Sequence, residues 1–142
     1  MKSYSRWMSL SLLTVLIGCE SWPSLPTAPS ELTSGVAIYE HANYAGESAL
    51  ISEDLKNLKN VKGPCRKPSD DGDEDTGWSD CLSSIRVAPG WRATLYRDDG
   101  FRGEQLEVTT DVPNLAQASG RCPKGGFNDC VTAIRVSRET GQ

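Results

Sequence analysis

Two short stretches carry the residues with the most chemistry in them, and they say nearly the same thing. Ser79-Asp80-Cys81-Leu82-Ser83-Ser84 runs into Ile85-Arg86-Val87, and 49 residues later Asn128-Asp129-Cys130-Val131-Thr132-Ala133 runs into Ile134-Arg135-Val136. Each sets a carboxylate three residues ahead of a hydroxyl, with a thiol between them. Asp and Ser/Thr side chains at such spacing bond to nearby backbone and hold turns. Thiols form disulfides or bind metal, according to compartment and companions.

Other candidate chemistry is thinner. The acidic run Asp70, Asp71, Asp73, Glu74, Asp75 has the alternation of an EF-hand at Asp71, Asp73 and Asp75. The glycine comes one place late, at Gly77, and Leu82 stands where the bidentate Glu is needed, so the run reads as a solvated surface loop. His41 is the single histidine. With no Ser-His-Asp set and no nucleophile elbow, an enzyme is not expected. The acidic residues include no carboxylate pair with a sequence signature.

The elements that position these residues begin after a distinct N-terminus. Residues 1–18 hold Lys2 and Arg6, then an apolar run too short to span a bilayer stably, ending in Leu16-Ile17-Gly18-Cys19. This resembles a bacterial lipobox, which implies cleavage before Cys19 and lipidation of its thiol, anchoring the chain in a lipid bilayer. In enterobacterial lipoproteins Asp after the lipidated cysteine favours inner-membrane retention, so by that resemblance Glu20 implies the outer membrane or cell surface of a bacterial envelope. Residues 19–33 are rich in Pro and Ser and read as a tether. The folded part is then about 34–142. An exported domain of that size gains from disulfides. Losing Lys2 and Arg6 takes the formal charge from −4 to −6, which argues against nucleic acid as a partner and is compatible with cations.

Within the domain the chain repeats. At an offset of 57, Ala37–Glu47 lies over Thr94–Glu104, and Asp54–Cys65 over Asp111–Cys122; the register then slips by eight at the acidic insertion. Each copy reads as β: "GVAIYE" and "WRATLYR" alternate, "ESALIS" and "EQLEVTT" follow a turn, and "SSIRVAP" and "TAIRVSR" close the copies. Around "DLKNLKNV" there is room for one short helical turn at most. Gly46 and Gly103, two residues after an aromatic, fit a hairpin that needs positive φ. Cys65, Cys81, Cys122 and Cys130 occupy equivalent places in the copies. Of the three ways to pair them, Cys65–Cys81 with Cys122–Cys130 is the simplest. A metal-thiolate site finds no Cys-x-x-Cys and one histidine.

The pattern Tyr39, Tyr44, Gly46 and its copy Tyr96, Phe101, Gly103, each followed by Asp-x-x-Ser/Thr, resembles the βγ-crystallin Greek-key motif over about residues 35–138. The resemblance implies an all-β, double Greek-key sandwich of two four-stranded sheets, with key 1 at about 35–89 and key 2 at about 90–138. In calcium-binding members, sites form where the keys meet, from about six to eight hard oxygens. Carried over, one Ca²⁺ site draws on Asp129 and Thr132 with Glu40, the other on Asp80 and Ser83 with Arg97. Arg97 stands where Glu40 stands in the other copy, Ser79 replaces an Asn/Asp, and Ala133 replaces a Ser. Turn-holding without metal is the alternative for both loops. The expected function is an envelope-anchored structural or binding module, disulfide-stabilised and Ca²⁺-responsive, binding an envelope component. The alternative is a proteinase inhibitor of the metallopeptidase-inhibiting kind, using insertion 68–77 against an extracellular protease.

Overall fold

The computed structural model describes residues 31–68 and 74–139. The lipobox with Cys19, most of the tether, and Asp70, Asp71 and Asp73 lie outside the described residues. Among the described residues there are eight strands: β1 (Val36–His41), β2 (Ala45–Ile51), β3 (Cys65–Pro68), β4 (Glu74–Gly77), β5 (Ser84–Val87), β6 (Trp91–Asp98), β7 (Arg102–Val108) and β8 (Ala133–Arg138). Helix-like turns among the described residues are three residues long, at Ala42–Tyr44, where Asn43 and Tyr44 take positive φ and make a left-handed bend, and at Leu58–Asn60 and Leu115–Gln117, which are 3₁₀ turns. Leu58–Asn60 is the single turn expected around "DLKNLKNV".

Two antiparallel sheets carry the domain, ordered β2-β1-β5 and β7-β6-β8. Their registers repeat as the sequence does. Ile38 sits between Ala49 and Ile85, and Leu95 between Leu106 and Ile134. Alternation decides which side chains turn inward: Val36 and Ile38 of β1, and Ala93 and Leu95 of β6, are fully buried. The core pairs by copy, with Leu58 matched to Leu115, Trp78 to Phe127, Leu82 to Val131 and Ile85 to Ile134, and residues of both sheets join one cluster. Full burial of such side chains contributes about 1.5–3 kcal/mol each before entropy is counted.

Each sheet is three-stranded where four strands were expected. The fourth place is held by a one-residue bridge, and it comes from the other key. Leu55 of key 1 exchanges both backbone hydrogen bonds with Ile134, at 2.8 and 3.0 Å, and Val112 of key 2 does the same with Ile85, at 2.8 and 3.0 Å. One residue earlier a carboxylate continues the ladder. Asp54 Oδ1 accepts from the Val136 amide at 2.9 Å, and Asp111 Oδ1 from the Val87 amide at 2.8 Å. A side-chain oxygen here does the work of a strand carbonyl, which is why regular pairing stops so soon.

The insertion is more ordered at its base than a loop reading implies. β3 pairs antiparallel with β4, from Cys65 opposite Gly77 to Pro68 opposite Glu74. Key 2 has no equivalent among its strands.

Candidate metal centre between the two keys

The Asp-Cys loops are placed by backbone bonds before any side chain acts. The Trp78 amide donates to Leu58 O at 3.1 Å and the Phe127 amide to Leu115 O at 2.8 Å. Each loop thus hangs from the 3₁₀ turn of its own key, which Asn57 or Asn114 caps through its side chain. The loops then grip each other: Asp80 N donates to Val131 O at 3.0 Å, and Asp129 N to Leu82 O at 3.1 Å. Asp80 and Asp129 adopt φ of 60° and 52°, a left-handed conformation that Asp tolerates better than most residues. Disulfides Cys65–Cys81 and Cys122–Cys130 fasten the loops, in the pairing that was simplest on sequence.

The side chains also cross between keys. Thr132 Oγ1 donates to Asp80 Oδ1 at 3.2 Å, with Ser79 Oγ 3.4 Å from Asp80 Oδ2 and 3.5 Å from Thr132 Oγ1. Ser83 Oγ donates to Asp129 Oδ1 at 3.3 Å. The two hydroxyls are therefore exchanged relative to the carried-over sets: Thr132 joins Asp80, and Ser83 joins Asp129. The physical reason is the mutual grip of the loops, which sets each carboxylate against the far key. The hairpin residues follow the hydroxyls. Ser83 N donates to Tyr39 O at 3.0 Å, bringing the backbone next to Glu40, and Thr132 N to Tyr96 O at 2.9 Å, next to Arg97. The Glu40 carboxylate faces its own hairpin, Oε2 lying 3.3 Å from the Glu47 amide. The Arg97 side chain is exposed. In both cases the backbone, not the side chain, stands beside the centre.

Carboxylate and hydroxyl oxygens are the donor type that Ca²⁺ takes, so Asp80, Thr132 and Ser79 fit such an ion in kind. At the other locus the Asp129 carboxylate is already engaged: Lys124 Nζ and Asn128 Nδ2 each lie 3.0 Å from Oδ2. Among the described residues no three His, Cys, Asp or Glu side chains converge as a ready metal cluster. Water and backbone carbonyls would have to complete the coordination of any ion held here.

The hairpins that present Glu40 and Arg97 are folded over their aromatics. Tyr39 and Tyr44 pack edge to face with centroids 5.6 Å apart, and Tyr96 and Phe101 are 5.6 Å apart. Gly46 and Gly103 sit at φ of 79° and 76°. A Cβ on Gly46 would meet Glu40 and His41 within 3 Å, and one on Gly103 would collide with the Asp98 carboxylate. The repeated Ile-Arg-Val now has a role that sequence reasoning missed. Arg86 lies 4.3 Å over the Tyr44 ring and Arg135 4.3 Å over Phe101, a cation–π cap on each folded hairpin. An arginine recurring at one strand position, opposite a recurring aromatic, was the available signal. Burial pushes the Tyr44 phenol above its ordinary range, Asp111 adds to the rise, and Arg86 opposes it.

No helix among the described residues is long and apolar enough to cross a membrane. No family model matches the chain. Development-specific protein S of Myxococcus xanthus is 40% identical over 55 residues, covering 39% of this chain and 27% of that protein. The match thus spans about a quarter of that relative. Spherulin-3A of Physarum polycephalum is 25% identical over 104 residues, 72% of this chain and 81% of that one. Among solved structures, one representing the evolution of the eye-lens βγ-crystallin domain fold aligns over 78% of this chain and 93% of its own, with TM-score 0.59 and 21% identity. A βγ-crystallin domain from Flavobacterium johnsoniae aligns over 75% and 98%, with TM-score 0.55 and 27% identity. With the paired hairpins, the crossed fourth-position bridges and the two disulfide-fastened loops, these likenesses show that the chain has the βγ-crystallin-type domain fold.

Proposed function

We propose that this domain is a non-catalytic, disulfide-braced binding module, held at the bacterial envelope through Cys19, whose inter-key loops take Ca²⁺. The observation that carries the calcium part is the crossed pairing of carboxylate and hydroxyl, Asp80 with Thr132 and Asp129 with Ser83. Two oxygen pairs are held at the seam between the keys by mutual backbone bonds, so an ion bound there would tie key 1 to key 2. Asp80 and Asp129 would supply charge, Thr132, Ser83 and Ser79 hydroxyl oxygen, and the backbone beside Glu40 and Arg97 carbonyl oxygen. The ion would add electrostatic cross-linking of the seam and no reaction. The inhibitor reading draws on insertion 68–77, most of whose side chains lie outside the described residues, and no observation here favours it.

The test is calorimetry and thermal unfolding of chelator-stripped, oxidised protein. Ca²⁺ at 100 times its Kd should raise stability by about 2.7 kcal/mol, and Asp80→Asn should weaken binding at least tenfold. Absence of both heat and thermal shift in the wild type would remove calcium from the proposal.

A further inference from the structure

We propose that Lys124 is an internal cation for the Asp129 locus, and that it sets the affinity of that locus by competing with a divalent ion. This rests on the calcium reading above and concerns which residue governs one of its two loci.

The geometry is that of a filled carboxylate. Asp129 receives the Ser83 hydroxyl on Oδ1 at 3.3 Å, and the Lys124 ammonium and the Asn128 amide on Oδ2, both at 3.0 Å. The Asp129 side chain is 18% exposed and the Lys124 side chain 69% exposed. The ammonium therefore lies over the solvent side of a carboxylate that is otherwise enclosed by protein. Its position is not left to a flexible surface stem alone. Lys124 belongs to the short loop closed by Cys122–Cys130. That loop is tightened by Gly125 N to Cys122 O at 2.9 Å, Cys122 N to Gly126 O at 3.0 Å, and Asn128 N to Gly125 O at 3.0 Å. The disulfide thus keeps Lys124 within reach of Asp129.

Such an ammonium delivers part of what a metal would, namely positive charge against a partly buried carboxylate. A divalent ion must displace it, losing the ion pair, or bind beside it against repulsion. Both costs fall on Asp129 and so weaken metal binding there. Removing the charge while keeping the stem length should reverse them.

The experiment uses the oxidised full chain in the Asp80→Asn background, so that the Asp129 locus is read alone. Ca²⁺ is titrated calorimetrically into Asp80→Asn, into Asp80→Asn with Lys124→Met, and into Asp80→Asn with Lys124→Arg. The Met variant should bind about tenfold more tightly or better, and the Arg variant should stay within about threefold of its parent. Equal affinity with Lys or Met at position 124 overturns the proposal. So does Ca²⁺ binding by the wild type with no heat from either the Asp80→Asn or the Asp80→Asn/Lys124→Met protein. No Ca²⁺ binding by the wild type defeats the calcium reading itself, and the proposal falls with it.

Discussion

Ser84 is the sharpest place to perturb the hairpin that presents Glu40. It is fully buried, donates to His41 O at 2.6 Å, and accepts from the Tyr44 amide at 3.0 Å. One hydroxyl thus satisfies two backbone groups at the bend where Asn43 and Tyr44 adopt positive φ. Ser84→Ala leaves both without that partner. A buried polar group stripped of its bond costs about 1–3 kcal/mol. His41 is exposed and its carbonyl can recruit water, so about 2 kcal/mol in total is expected, or a fall in Tm of roughly 9 °C for a domain of this size. Urea and thermal unfolding with disulfides intact would measure it, and amide exchange at Tyr44 should quicken in step. Key 2 carries Ala133 at the equivalent place, so the damage should stay in the first hairpin. A loss below about 0.5 kcal/mol, with Tyr44 exchange unchanged, would refute the idea that this hydroxyl holds the hairpin.

Two further outcomes are expected. Replacing Cys65 and Cys81 together with Ser opens a closure of sequence separation 16 and should cost about 3 kcal/mol, while the Cys122/Cys130 pair, at separation 8, should cost about 2.5 kcal/mol; reversible denaturant unfolding of the two double variants checks the order. The raised Tyr44 pKa means the folded state holds that proton longer than the unfolded chain does. Its contribution is therefore fully present below the ordinary tyrosine value of about 10 and is lost as pH rises through the folded value. The urea midpoint should fall above about pH 10, and Tyr44→Phe should flatten part of that fall.

Much of this was legible in the repeat. Offset 57, then 49, pairs Ile38 with Leu95 and Ile85 with Ile134, all of them core, because alternation in a half-buried strand reports directly on which face is inside; Leu58 and Leu115, also core, share the offset but sit in 3₁₀ turns, where only the repeat marks them. The disulfide pairing present was the simplest of the three that the four cysteines allow, but their equivalence alone did not dictate it. What alternation does not report is which neighbour a sheet edge takes. Nothing in "DLKNLKNV" says that Leu55 bonds Ile134 of the other copy. The same blindness hid the exchange of Ser83 and Thr132 between the loci, since hydroxyl and carboxylate within one loop look like natural partners until the loops face each other. The β3–β4 hairpin was obscured by its charge, and Lys124 by its distance in type from any metal ligand.

The crossed bridges have a consequence for how the chain comes to be folded. Sheet one lacks its fourth position until Val112 arrives, and sheet two is fastened at Leu55, so neither key can be finished from its own residues. Contacts of this span are slow to form, because a long loop must close before they reward it. A chain made or exported N-terminus first would keep the first key open at one edge while key 2 was still being delivered. The domain then ripens in a single late step, when residues near 134 seat against residues near 55. Until then the edge of the first sheet that Val112 covers is open to other strands and to proteases.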